Sequence, residues 1–502
     1  MKKNLLYLFA ASLMTVTACD LDINDDPSYP ESGTITADLM FPSVQNYIAT
    51  VSCDNMFNYA GFFCQYFEQM PETNQFNDYC EQTITESSQV IDRAYSALYA
   101  GALTDIEDIR TKTDNTADLL ALAAMRTFAF QLLVDNMSEC PYTEALQGSA
   151  NAQPAWDDGQ TVYNGVLAEL DAAVAAYEAN PELMTVTDMM FDGDMDQWMG
   201  YINALRLRMY MRMYDADNSV RDKIVALVNE NNFFTGDAML DIYSDATDNR
   251  SPFYGSYYAL GTGNHVAAYP IVSYMQFTND PRITYAFSVA VNSGEYVGQF
   301  PGAKADMKDW NVGANEGEWK NNDVSAVNYS LYNGTGASRP AYLFTQANLQ
   351  FLIAEAKIRF MNDEAGAKTA YEAAIAADFA ARGMSGQEAA FLSGANVNWD
   401  NAADKLHLIY MQKWVALFYM DNMEAWSEMR RTDVPELSTT NAYDISQNSS
   451  IYTPGDLIEP YRNGLEAGGL LKRMFYPQSA RNLNPNTPPM KTGSEPVWWD
   501  VN

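Results

Sequence analysis

Apolar residues recur at three- and four-residue spacing along much of the chain beyond residue 36, the period of an α-helix with one face turned inward. Leu122, Met125, Ala129 and Leu132 make one such stripe. Tyr163, Val166, Leu167, Leu170, Val174 and Tyr177 make a second, and Leu349, Leu352, Ile353, Ala356 and Phe360 a third. A lone helix cannot cover its own stripe, so each predicts a partner helix packed against it. Residues 346–381 give the clearest pair: the third stripe, a turn at Asn362-Asp363-Glu364, then Ala367, Tyr371, Ala374 and Ile375 on one face. Small residues at a close helix–helix approach suit a tetratricopeptide-like hairpin. Segments 117–178 and 197–231 predict further, degenerate pairs, without a clean repeat period. Residues 407–421 are apolar on nearly all sides and predict a central buried helix.

Two regions lack this period. Residues 235–340 are rich in Gly, Asn, Asp, Tyr and Trp, with short β-like runs such as 288–291. The stretch from Pro435 onward is similar, ending in Pro488-Pro489 and Trp498-Trp499-Asp500, where prolines forbid long helices. The expected class is therefore mainly α, with helix pairs under a loop-rich surface layer. No charged or Pro-rich linker divides residues 37–502, which favours one integrated domain.

The N-terminus reads differently. Lys2 and Lys3 precede an apolar run at 5–14, too short to span a bilayer, and then Val16-Thr17-Ala18-Cys19. This resembles a bacterial lipobox, so residues 1–18 are expected to be a leader and Cys19 the lipidated mature terminus. Residues 19–36 form a polar tether. Its Asp20, Asp22, Asp25 and Asp26 resemble the acidic tract that routes lipoproteins to the cell surface in Bacteroidetes-like bacteria.

The formal net charge is −35, which repels phosphate backbones and makes nucleic acid an unsuitable partner. Neutral ligands such as sugars remain compatible. Cys53, Cys64, Cys80 and Cys140 lack a CxxC spacing or a partnering His cluster, so a zinc site is not expected. Four thiols allow three pairings or none, and spacing does not choose.

Several ordered segments resemble the SusD/RagB family. They are Pro141-Tyr142-Thr143-Glu144-Ala145-Leu146; Phe191-Asp192-Gly193-Asp194 leading to Trp198 and Asn203-Ala204-Leu205-Arg206-Leu207-Arg208; and Phe351-Leu352-Ile353-Ala354-Glu355-Ala356-Lys357. Later come Gln412-Lys413-Trp414, Glu424-Ala425-Trp426, Arg430-Arg431, Arg473-Met474-Phe475-Tyr476-Pro477 and Val497-Trp498-Trp499-Asp500. The resemblance implies a tetratricopeptide-like lipoprotein of the outer membrane, exposed at the cell surface. It would bind an oligosaccharide or similar nutrient and sit as a lid on a SusC-like TonB-dependent transporter. Catalysis is not implied, and nothing in the sequence calls for a cofactor. One departure is visible: many relatives carry a Gly-Asp turn where this chain has Ser138-Glu139-Cys140.

Most motif residues also have structural readings. Asp194 suits a helix N-cap, and Arg206, Arg208, Arg430 and Arg431 suit fork-shaped ties between helices. Asp188, Asp192, Asp194 and Asp196 superficially match a calcium loop but lack its order and terminal Glu, so capping is the better expectation. His265, in a Gly-rich stretch, and His407, opening an apolar helix, have no triad or zinc partners. Sugar rings stack on aromatic faces, so aromatics in polar loops are the expected ligand contacts: Phe76 and Tyr79, Tyr257 with its neighbour Tyr258, and Trp310, Trp319 and Tyr329. Tyr177 and Phe360 lie in helical stripes and are expected in the core. The competing classes are a surface glycoside hydrolase, which needs a placed carboxylate pair, and a helical adaptor that binds protein and no nutrient.

Overall fold

The computed structural model describes residues 35–258, 264–305, 319–328 and 336–502. Eleven helices of nine residues or more occur among these: α1 Ala37–Cys53, α2 Asn55–Phe63, α3 Thr116–Met137, α4 Gly159–Ala179, α5 Met195–Met213, α6 Arg221–Glu230, α7 Tyr269–Phe277, α8 Gln346–Ala356, α9 Glu364–Ala381, α10 Lys405–Leu417 and α11 Asn422–Thr432. The starts of many are written in the sequence. The side chains of Asn115, Asp158, Asp194, Thr345, Asp363, Asp404 and Asp421 each accept a hydrogen bond from a first-turn amide of α3, α4, α5, α8, α9, α10 and α11. Such a cap is worth about 1 kcal/mol, because those amides have no partner within the helix.

Successive helices pack in four pairs, α3 with α4, α5 with α6, α8 with α9 and α10 with α11. The 346–381 hairpin forms as expected: a π-helical turn, Lys357–Met361, extends α8, and Asn362 reverses the chain in the left-handed region at φ 52°. Helix α3 is long and apolar enough to cross a membrane by composition, yet 94% of its most apolar window is buried inside the fold. It is the central helix of a core that extends from Met40 to Trp499.

The motif arginines join the pairs from within. Arg212 of α5 meets Asp135 of α3 at 2.7 Å and Glu424 and Glu428 of α11 at 2.7 and 3.0 Å. Arg431 grips Glu355 of α8 through two parallel bonds of 2.8 and 2.7 Å and meets Glu428 at 2.6 Å, while Lys413 of α10 reaches Glu428 at 2.7 Å. One helix pair after another thus contributes a charge to a single buried cluster. Burial works to raise the Glu428 carboxyl, but Arg431, Lys413 and Arg212 outweigh it and hold it well below the usual range. Arg208 lies 3.9 Å from both Asp421 and Glu424, and Arg206 ties α5 to Asp171 of α4. Arg430 instead stacks on Trp426, 3.7 Å from the ring centre, and donates to the Trp426 and Lys472 carbonyls.

The acidic run 188–196 has a structural role. Asp188 accepts from the amides of Met190, Phe191 and Gly193, from the Trp198 indole at 2.8 Å and from Gln45 at 2.6 Å. Asp194 caps α5. The Ser138 departure keeps a turn with φ 72°, and the Ser138 hydroxyl accepts from the Trp498 amide at 2.9 Å. The four cysteines among the described residues, Cys53, Cys64, Cys80 and Cys140, are buried free thiols, with burial pushing Cys53 and Cys140 up to about 12.

Short antiparallel ribbons decorate the helices: β1 Phe67–Gln69 pairs with β5 His265–Ala267, β2 Glu139–Cys140 with β3 Asp157–Asp158, and β4 Ala238–Leu240 with β6 Ala341–Phe344. Two expectations need correction. Residues 288–291 are not a strand, since only Phe287 bridges to Val327. The region 235–340 also contains a true helix, α7, whose start carries a proline that leaves the first turn intact because the first-turn amide needs no partner.

Candidate functional site

The loop layer is built on the β1–β5 ribbon. Neighbouring residues of a strand face opposite sides, so His265 and Val266 look into different aromatic clusters. On the His265 side, Gln69 fixes the following turn, accepting from the Phe76 amide and donating to the Thr73 carbonyl and to Asn77. This turns the Phe76 ring inward, where it packs against Phe62, Tyr79, Tyr257 and His265. Phe76 is 5% exposed, so it is a core ring and not the exposed platform expected from its polar neighbours. Tyr79 and Tyr257 are half-buried against the same nest. His265 is a strand residue bonded to Asn58 at 2.7 Å, and burial lowers its imidazole to about 3.

On the Val266 side lies Trp319, 2% exposed, whose indole donates to Gln299 at 2.6 Å. Gln299 is a ladder residue: its amide donates to Ala267 O and its carbonyl accepts from the Tyr269 amide. Ser325 adds a further rung, its carbonyl accepting from Ala267 and its hydroxyl from the Val297 amide. These bonds hold Tyr296, Phe300 and Trp319 against the start of α7, with the Tyr269 ring stacked on Phe300 at 4.3 Å.

Between this ladder, α7 and the segment 445–449, where a short helix Ala442–Gln447 leads into the tight turn Ser449–Ile451, opens a cleft of about 390 Å³. Tyr269 and Tyr296 offer ring surface over the buried Phe300 and Trp319; Ser273, Gln276, Ser446, Gln447, Asn448 and Ser449 supply hydroxyls and amides. No charged side chain lines it among the described residues. A larger cleft of about 560 Å³ lies across α7, lined by Tyr274 and Phe277 and by acidic and amide groups of 396–456.

Helix α7 is clamped from below. Arg282, just beyond its end, meets Asp280 at 2.6 Å and Asp378 of α9 at 2.7 Å, and donates to Gln412 of α10 at 2.9 Å. Arg382 completes the knot through Asp378 at 2.9 Å. The clefts therefore stand on a rigid part of the hairpin scaffold.

Of the aromatics expected to touch ligand, Phe76, Tyr79 and Tyr257 gather in one nest and Trp319 lies in the wall of the smaller cleft. Trp310, Tyr329 and the lipidation residue Cys19 lie outside the described residues, as does the side chain of Tyr258. Tyr269 and Tyr296 were not singled out from sequence. For Tyr269 a usable signal was its place at the head of an apolar run that begins Tyr-Pro, a helix start; Tyr296 follows the polar turn Asn292-Ser293-Gly294-Glu295.

Beneath the ribbon, Glu68 of β1 is 2% exposed, and burial raises its carboxyl to about 8 against help from the Cys80 thiol and the Gly302 amide. The folded state holds this proton more tightly than the unfolded chain, whose Glu titrates near 4.5. The associated stability is full below that value and is lost as pH rises toward about 8, by up to about 1.4 kcal/mol per pH unit. Glu68→Gln should flatten this part of the alkaline decline in urea-unfolding curves taken from pH 5 to 8. An unchanged slope would show that Glu68 does not carry it.

A family profile described as "starch-binding associating with outer membrane", SusD-like, matches residues 30–453. No curated protein matches the chain. Among solved structures, a SusD/RagB family protein from Bacteroides thetaiotaomicron superposes with a TM-score of 0.73 at 18% identity, covering 93% of this chain and 99% of that one. A chitin-binding SusD homologue from Flavobacterium johnsoniae gives 0.70 at 22% identity, covering 93% and 99%. A SusD homologue from Bacteroides vulgatus gives 0.69 at 20%, covering 92% and 97%. At such identities the superpositions establish the fold, and the profile match over most of the sequence establishes kinship: this chain belongs to the SusD-like family of outer-membrane-associated glycan-binding proteins.

Proposed function

We propose that this protein is a cell-surface lipoprotein that captures a neutral oligosaccharide in the cleft between α7, the Gln299 ladder and the 445–449 segment, and passes it to a SusC-like TonB-dependent transporter. The observation that carries the reading is the chemistry of that cleft, tyrosine rings beside amides and hydroxyls with no charged side chain among the described residues. Ring faces pack on the C–H surfaces of sugars, and neutral donors and acceptors read hydroxyls without the cost of desolvating an ion. Membership of a family of binding proteins, and starch and chitin in the names of the family and a structural relative, agree with it. In this reading residues 1–18 are a leader, Cys19 carries the lipid, 19–36 form the tether and 37–502 act as one ligand-binding unit.

The test is calorimetric titration of a soluble form starting at residue 20 with starch- and chitin-derived oligosaccharides. Binding without turnover is expected, with Tyr269→Ala and Tyr296→Ala each weakening it about tenfold or more, equivalent to about 1.4 kcal/mol. Hydrolysis of the ligand, or affinity indifferent to both substitutions, would overturn the proposal.

A further inference from the structure

The larger cleft, across α7 from the first, has a different chemistry. Its volume of about 560 Å³ is ample for a sugar residue and its neighbours. Phe277, at the end of α7, is 47% exposed, an unusual amount for a phenylalanine, and it stands on the cleft wall beside Tyr274. Asn396 is held there by donating to the Phe277 carbonyl at 2.9 Å. A ring and an amide at one rim make a platform for a saccharide, as in the first cleft.

The opposite wall is anionic. Glu436 and Asp456 come together from two passes of the C-terminal loop layer, which are laddered by the Leu457 amide donating to the Glu436 carbonyl. Burial raises the Asp456 carboxyl and the neighbouring Glu436 charge raises it further, against a lowering by Thr453 and by His407, so the one imidazole only partly offsets the pair. The ionisable groups lining the cleft are these two, Asp404 and His407. Asp404 is engaged as the cap of α10, and His407 lies 3.2 Å from Glu436. One imidazole against three carboxylates leaves room for another positive charge.

We propose that this cleft is a second saccharide site, one that takes a sugar carrying a free primary ammonium group, with the ring on Phe277 and the ammonium between Glu436 and Asp456. The inference rests on the glycan-binding reading above and adds to it a distinct site and a ligand class. An N-acetylated sugar has no charge to place there, so selectivity between amine and amide is the signature.

The test compares a glucosamine hexamer with its N-acetylated counterpart by titration against the soluble chain at pH 7. The expected result is at least tenfold tighter binding of the amine form, abolished in the Glu436→Gln/Asp456→Asn double variant and retained in Tyr269→Ala. Non-specific attraction to a chain of net charge −35 would survive removal of two carboxylates, so a preference that persists in the double variant overturns the proposal. Loss of the preference in Tyr269→Ala overturns it too, by placing the amine in the first cleft. Equal binding of both hexamers overturns this inference and leaves the first site standing, whereas no saccharide binding at all removes the underlying reading. A lysine hexapeptide that binds as tightly as the amine sugar would overturn the saccharide assignment. The double variant's unfolding midpoint, measured alongside, should match that of the parent because both side chains lie at the surface of the cleft.

Discussion

Replacing Glu428 by Gln should lower the unfolding free energy by about 3–5 kcal/mol, the scale of breaking a buried ion pair by removing one partner. Glu428 is the shared anion of Arg212, Lys413 and Arg431, each within 3.0 Å of it and each nearly inaccessible. The neutral amide takes from Lys413 its ion-pair partner among the described residues and from Arg212 and Arg431 one partner each, in a place where water cannot substitute. A domain whose total stability is of order 5–15 kcal/mol would lose a large share of it. Urea unfolding of the soluble chain reads this directly. Glu107→Gln provides the contrast: Glu107 pairs with Arg110 and Arg126 but is 36% exposed, so its loss should cost no more than about 1 kcal/mol. Equal small losses for both variants would show that the buried cluster is not what holds the helix pairs together.

Trp319→Ala should act on the loop layer and on the ligand together. Deleting a buried tryptophan costs about 3–5 kcal/mol through lost packing and the cavity left behind. Here it also orphans the Gln299 carbonyl oxygen, on a side chain that is fully buried. Because the Gln299 backbone carries rungs to Ala267 and Tyr269, the damage should spread along the ladder. The amides of Gln299 and Tyr269 should then exchange hydrogen faster, and oligosaccharide affinity should fall at least tenfold. Trp319→Phe keeps most of the ring and loses only the donor, so it should cost less, about 1–3 kcal/mol. Full affinity in Trp319→Ala would mean that the ligand binds elsewhere.

The scaffold was largely legible because helices announce themselves twice, by period and by caps. Tyr163 to Tyr177 and Leu349 to Phe360 repeat at helical spacing, and Asp194 and Asp363 stand where first-turn amides need acceptors. The motif arginines were readable as ties because a guanidinium among apolar helices has few other stable fates. The binding surface was less legible, since loops encode orientation through hydrogen bonds between residues far apart in sequence. Phe76 sits in a polar string and yet faces inward, because Gln69, seven residues earlier, fixes the turn. Helix α7 is only nine residues long and its polar face is just Ser273 and Gln276, too short a pattern for periodicity to find it. Trp319 was chosen for its polar neighbours and does reach a cleft, but through a bond to Gln299 that composition does not foretell.

The charge cluster that joins α3, α5, α8, α10 and α11 also bears on how such proteins can be recombined. A helical hairpin transplanted alone between two relatives would arrive with half of several ion pairs, and its new host would have to supply matching partners. The segment 445–449 meets the cleft without contributing to that cluster. On the proposed reading of the cleft, ligand preference is the exchangeable part of this molecule, and grafts confined to the loop layer should change what is bound while leaving the chassis intact.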